Sequence, residues 1–314
     1  MHKSKKAVVI PAYKVSEQII EVVSTIPDMI DFIIVVDDAC PEKSGKLVED
    51  AGIKKVTVIY HKKNQGVGDA VISGYKKAME LGCDIVVKID GDGQMDPSHI
   101  EELIKPLENN EADYMKGNRF RNIDVIRKMP KLRLMVNNLL SFFVKVCSGY
   151  WNIMDPVNGY TAIHRRVLDK LKLDKIAKRY FFESDMLLNL YLINAVVKEF
   201  PMQAKYGTET SSLTAKHVLV QFPARLIYGL VRRILLKYYI YDFNMASVYI
   251  LLGIPLFIWS IVLGSLEWIE SARTGIARPA GTVILAALPL IISVEMLLQA
   301  IHIDINSFPK KGNS

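Results

Sequence analysis

The stretch "DIVVKIDGDGQMDP" (residues 84–97) is an apolar run that ends in three carboxylates, Asp90, Asp92 and Asp96, with Gln94 among them. A short continuous apolar run bounded by turn residues fits a strand buried on both faces, and such strands belong to parallel sheets covered by helices. The acids that end it are either the solvated side chains of a turn or a place where the protein holds a cation.

The same rhythm repeats upstream. Strands are predicted at "KAVVIP" (6–11), "DFIIVVDD" (31–38) and "KKVTVIYH" (54–61), with helices near 16–26, 43–51 and 67–81 between them and the strand "DIVVKID" (84–90) closing the series. Three βα units and a fourth strand predict an α/β fold: a parallel sheet with helices on both faces. Ligands of such sheets sit beyond the carboxyl ends of the strands, where Asp37 and Asp38 end the second strand and Asp90 and Asp92 the fourth. Two acid pairs at one sheet edge weigh against the solvated-turn reading. Downstream, a helix over 97–109, a strand over 112–120, an amphipathic helix near 130–147, the loop "MDPVNGY" (154–160) and a helix opening at "FFESDMLLNLY" (181–191) are expected.

Half of the 314 residues are hydrophobic, and they concentrate past residue 215. The stretches 246–266 and 280–301 are each long enough to cross a bilayer, and Glu295 is the only charge inside either. Between them and the sheet, the segment 217–243 is apolar on most of its circumference, with Arg225, Arg232, Arg233 and Lys237 gathered on one arc. It reads as an interfacial helix, or as an ordinary helix packed on the domain. The predicted organisation is therefore a domain over 1–215, an amphipathic helix over 216–243 and a membrane part over 244–314. Basic residues flank the spans on the side of the domain and the tail, Lys310 and Lys311 included, while the intervening loop is balanced. The positive-inside bias predicts a multi-pass protein of the cytoplasmic membrane with its domain facing the cytoplasm. No signal peptide is expected from "MHKSKKAVVIPAY". Cys40, Cys83 and Cys147 fit neither a disulfide framework nor a zinc site. The net charge of +7 is explained by anionic headgroups, and no nucleic-acid partner is expected.

Asp-x-Asp-x-Gln offers the hard oxygen ligands that Mg²⁺ or Mn²⁺ takes, and few are needed when substrate phosphates complete the shell. Asp92 is the first choice for direct ligation, with Gln94 beside it, while Asp90 either completes the coordination or holds a ribose. Asp96, followed by Pro97, suits the cap of the next helix. Gly66 and Gly68 in "NQGVGDAV" stand at a strand-to-helix turn where backbone can approach an anion. Val71 stands where the third glycine of a dinucleotide fingerprint belongs, which weakens that reading.

In order along the chain, "VVIPAYK" (8–14), "VVDDACPEKSG" (35–45), "KNQGVGDA" (63–70), "DGDGQMDP" (90–97), "KGNRF" (116–120), "DPVNGY" (155–160) and "FFESDMLL" (181–188) resemble a family 2 glycosyltransferase of GT-A fold. More closely, they are similar to polyprenyl-phosphate sugar synthases of the dolichol-phosphate-mannose synthase type. The resemblance covers about residues 6–215. It implies contacts from Pro11, Ala12, Tyr13 and Asp38 to the nucleoside of a nucleotide-sugar donor, with Asp37 a further candidate. It implies that Asp90, Asp92 and Gln94 bind the metal and sugar diphosphate, and that Arg119 and either Arg133 or Arg127 hold the acceptor phosphate. Ala39 departs from the glycine common in this family's second-strand turn. A loop lysine expected after the core has two candidate substitutes, Lys205 and Lys216. The implied reaction is an inverting displacement by a polyprenyl phosphate, in the service of envelope glycans or glycoconjugates. If the acceptor were a sugar hydroxyl on a diphosphate-linked glycan, Glu183 or Asp185 would be the base. A scaffold that binds sugar nucleotides without turnover is a third reading. A homo-oligomer is compatible with the sequence, which does not give the sugar, the base or the polyprenol.

Overall fold

The computed structural model describes residues 4–121, 131–202 and 215–311. The chain divides into two units, residues 1–230 with 309–314, and residues 231–308.

In the first unit the strands are β1 (Lys6–Ala12), β2 (Phe32–Asp37), β3 (Val56–Tyr60), β4 (Ile85–Lys88), β5 (Tyr114–Asn118), β6 (Thr161–His164) and β7 (Val197–Pro201). They form one sheet in the order β3-β2-β1-β4-β6-β5-β7. Every neighbouring pair is parallel except those of β6, which runs antiparallel to both β4 and β5. The expected parallel sheet is thus mostly parallel, with one reversed strand where the repeating βα pattern stops. β6 has four residues and β7, at the sheet's edge, buries only Val197 and Phe200 of its five, so neither carries the apolar run that made β1, β2 and β4 legible.

Among the described residues, the helices lying wholly in this unit are α1 (Ile19–Ser24), α2 (Ser44–Asp50), α3 (Val67–Glu80), α4 (Ile100–Glu108), α5 (Lys131–Ser148), α6 (Arg165–Leu168) and α7 (Phe182–Leu192). Because successive strand side chains point to opposite faces, Val8, Ile10, Ile33, Val35 and Val87 join one core with Ile19 and Val22 of α1 and Leu103, Ile104 and Leu107 of α4. On this face apolar burial supplies the main driving force. Asp96 accepts the Ser98 N–H at 2.9 Å and caps the turn that leads into α4, the structural job expected of it. α5 leaves Met135, Leu139, Phe142 and Phe143 exposed.

Helix α8 (Ala215–Leu235) begins in the first unit and ends in the second, and a wider π-helical turn over Leu236–Tyr241 follows it. Asn244 and Ser247 then form a reciprocal cap that starts α9 (Met245–Thr274), and α10 (Ala280–Asn306) lies against α9. These two helices, of 30 and 27 residues, are long and apolar enough to cross a membrane. Both extend beyond the stretches expected from hydropathy, because polar turns such as "EWIESART" prolong the helix past the apolar core.

One basic residue of the arc differs from expectation. Arg233 is buried and forms a bidentate pair with Asp304 of α10, at 2.6 and 3.0 Å, and the Tyr238 hydroxyl donates to the same carboxylate at 2.6 Å. Lys237 donates to the backbone and hydroxyl oxygens of Ser307. Counting charges on a helical arc cannot anticipate this, since the partner lies some seventy residues away.

Candidate active site

The carboxyl ends of β1, β2 and β4 carry the first of the residues singled out from sequence. Pro11 and Ala12 are the last residues of β1, and Tyr13, 43% exposed, follows with the Lys14 ammonium over its ring. Asp37 and Asp38 are both buried. Asp37 accepts the N–H groups of Cys40 and Gly45, at 2.7 and 2.8 Å, which folds the turn "DDACPEKSG" onto its own strand. Asp38 accepts the N–H groups of Gln65 and Gly66, at 2.9 and 2.7 Å, and lies 2.7 Å from His61 Nδ1, whose other nitrogen meets Ser73 Oγ at 2.9 Å. Asp38 therefore ties β2 to the glycine turn ahead of α3. Ala39 holds φ +53, the left-handed conformation that glycine takes at lower cost. Gly66 has φ +98 and sits against the backbone of Lys178, which leaves no room for a side chain.

Beyond β4, Asp90, Asp92 and Gln94 are half-buried along one loop. Asp92 Oδ1 accepts the Gln94 N–H at 3.0 Å, which shapes the loop locally. Asp90 Oδ1 lies 2.8 Å from the ammonium of Lys88, a fully buried residue at the end of β4. Lys88 Nζ is also 3.4 Å from Glu183 Oε1. Burial opposes its charge, yet the neighbouring carboxylates of Asp90 and Glu183 outweigh that and raise its pKa above the ordinary lysine value. Lys116 shows the opposite balance. It is as deeply buried, but its ammonium donates to the carbonyl oxygen of Asn158, and burial, outweighing the more distant carboxylates of Glu183 and Asp155, lowers its pKa to about 8.

The loop "MDPVNGY" is held from beneath. Glu199 of β7 accepts the N–H groups of Met154 and Asp155, both at 2.8 Å, and the Asn118 amide at 2.7 Å, while burial raises its pKa. Asp155, buried, receives a two-pronged bond from Arg119, Nε at 2.7 Å and Nη2 at 2.9 Å. Arg119, expected to take the acceptor phosphate, thus presents a guanidinium already aligned by this loop. Arg127 lies outside the described residues, as does Lys205. The described backbone places Arg133 on α5 and Lys216 on α8. In the first turn of α7, Asp185 accepts the Ala177 N–H at 2.8 Å, and Glu183 faces Lys88.

Sequence reading missed Lys88, Lys116, His61 and Asp155. The first had a signal: one lysine inside the apolar run "DIVVKI", where a charge needs a partner. The others depend on pairings that span the fold.

Among the described residues no cluster of three or more His, Cys, Asp or Glu side chains forms a preassembled metal cage. The donor set of Asp90, Asp92 and Gln94 fits a hard divalent cation that takes its remaining ligands from a diphosphate. Softer metals, which favour thiolate or imidazole, are not matched here.

The sequence model described as Glycosyl transferase family 2 matches residues 7–172. The chain is 32% identical to the UDP-N-acetylglucosamine–dolichyl-phosphate N-acetylglucosaminyltransferase of Methanococcus voltae, over 68% of this chain and 90% of that one. It is 27% identical to the undecaprenyl-phosphate mannosyltransferase of Micrococcus luteus, over 62% of this chain and 81% of that one. The fold is similar to that of glucosyl-3-phosphoglycerate synthase from Mycobacterium tuberculosis, crystallised with Mn²⁺, UDP and glucosyl-3-phosphoglycerate. That likeness has a TM-score of 0.55 and 17% identity, and covers 73% of this chain and 80% of the other. It identifies the architecture as GT-A.

Proposed function

The chain belongs to glycosyl transferase family 2, and on that premise we propose that it moves a sugar from a nucleotide-sugar donor to the phosphate of a membrane polyprenol, with inversion at the anomeric carbon. The observation that carries the choice of acceptor is the state of the two acids on α7. Asp185 is engaged by the Ala177 N–H and Glu183 by Lys88, so neither of the expected bases stands unengaged. A sugar hydroxyl acceptor requires a base. A phosphate monoester, with a second pKa of about 6, is largely ionised at neutral pH and requires none. The relatives named above, whose acceptors are dolichyl and undecaprenyl phosphates, support the same reading.

In this proposal Asp37 and Asp38 shape the nucleoside pocket by holding its turns, and Tyr13 offers its exposed ring to the base. Asp92 and Gln94 hold Mg²⁺ or Mn²⁺ with help from Asp90; when bound, such an ion neutralises charge on the leaving diphosphate. Arg119, oriented by Asp155, receives the acceptor phosphate, for which a planar guanidinium is suited, and Arg133 or Arg127 assists. α9 and α10 anchor the chain in the cytoplasmic membrane with the catalytic unit on the cytoplasmic side, and the exposed apolar side chains of α5 suit a unit that works near lipid. The product would feed cell-envelope glycan or glycoconjugate synthesis.

The test is an acceptor panel. Full-length protein in detergent with Mn²⁺ is given labelled sugar nucleotides and either a polyprenyl monophosphate or a polyprenyl-diphosphate-linked sugar. Label in the organic extract with the monophosphate is expected. Label only with the diphosphate-linked sugar would overturn the acceptor assignment.

A further inference from the structure

Three stretches quoted from the sequence, "DGDGQ", "FFESD" and "DPVNGY", are distant along the chain yet meet at one atom. The ammonium of Lys88 lies 2.8 Å from Asp90 in the first and 3.4 Å from Glu183 in the second. Gly159 of the third roofs the pair: a Cβ on Gly159 would overlap Lys88 Nζ and stand 2.8 Å from Asp90 Oδ2. Gly159 is not among the positive-φ glycines, so its backbone is one that an alanine can adopt, and the constraint is space alone. A fully buried lysine is a costly choice for the last residue of a strand whose other positions are Ile85, Val86 and Val87. Replacing such an ion pair by apolar packing is often neutral or stabilising, so fold stability does not account for it.

Resting on the donor-site reading above, we infer that Lys88 is a positioning residue of that site: its ammonium clamps the Asp90 carboxylate to Glu183, and Gly159 leaves it the room to do so. Asp90 and Glu183 are two carboxylates brought within reach of one cation. Without that cation they repel, and Asp90 is no longer aimed where the metal and donor require it. Groups that orient metal-binding side chains from behind typically govern affinity by a factor of 10–100.

The experiment measures Mn²⁺ binding to the full-length protein in detergent by electron paramagnetic resonance, with and without UDP and GDP, independently of turnover. Lys88→Met and Gly159→Ala are each expected to weaken Mn²⁺ binding about 10–100-fold. The double variant Lys88→Met/Glu183→Gln, which removes the repulsion, is expected to bind Mn²⁺ more tightly than Lys88→Met alone. A purely structural lysine would shift the melting temperature and leave Mn²⁺ affinity unchanged. Affinity within twofold of the parent in both single variants overturns the inference, and if Lys88→Met does not fold, Gly159→Ala decides. Asp92→Asn separates the two readings. If it loses Mn²⁺ while the Lys88 and Gly159 variants keep it, the clamp fails and the donor site stands. If it too keeps Mn²⁺, the donor-site reading itself fails.

Discussion

At the scale of single residues, the site is held by charged and hydrogen-bonded pairs: Lys88 with Asp90 and Glu183, His61 with Asp38, and Arg119 with Asp155. Asp90 and Asp92 were legible because they end an apolar run, and Asp37 and Asp38 because they end another. What those carboxylates touch was not legible: Lys88 acquires meaning through Glu183 and His61 through Asp38, and Asp155 is an acid that shows its role only in holding Arg119. Two residue-level predictions follow from this environment. Ala39 sits at φ +53, where a side chain costs about 1–2 kcal/mol and glycine gives back part of that through its freer unfolded chain. Ala39→Gly should therefore raise stability by about 0.5–1 kcal/mol, measured as a higher melting temperature in detergent. Lys116 has a folded pKa of about 8 against 10.5 unfolded, so between those values the unfolded chain binds a proton that the native state has given up. Stability should rise with pH across that window, relative to a Lys116→Met variant, by up to about 3 kcal/mol. A parent and variant whose stabilities run parallel from pH 7.5 to 10.5 would contradict it.

At the scale of elements, β1, β2 and β4 were readable because strands buried on both faces announce themselves as apolar runs, and the edge strand β3 because the repeating βα rhythm and its β-branched "VTVI" mark it. β6 and β7 were hidden by their brevity and, for β7, by its half-exposed edge position. The basic and apolar composition of α8 was expected, but Arg233 near its end is buried against Asp304 rather than left on a charged arc. Arg233→Met leaves that carboxylate buried without its main cation and should destabilise the second unit by about 3–5 kcal/mol. Thermal unfolding would register this, and restoring stability with Arg233→Met/Asp304→Leu would show that the unpaired charge is the cause. The glycine turn ahead of α3 offers a parallel test. Gly66→Ala places a methyl against the Lys178 backbone at a φ of +98, and should cost at least about 1–2 kcal/mol while weakening nucleotide binding. Unchanged stability and UDP or GDP affinity would show that the turn yields to a side chain at this position.

At the scale of the whole molecule, a GT-A unit and two helices fit to cross a membrane are joined in one chain, and that pairing supports an acceptor that is itself a lipid. Orientation is accessible to labelling because Cys40, Cys83 and Cys147 are all buried, which keeps the background low. A cysteine introduced at Ile276, between the spans, should react with an impermeant reagent from outside cells, and one at Lys310 only after lysis. The reverse pattern would invert the proposed topology. The central claim is that the acid loop after β4 carries sugar transfer to a lipid phosphate. Its most direct test compares the parent and Asp92→Asn, in detergent with Mn²⁺, undecaprenyl phosphate and a panel of labelled sugar nucleotides, counting label in the organic phase. Transfer from one donor by the parent and a loss of at least about 10–100-fold in the variant are expected. Equal label from both proteins would contradict it.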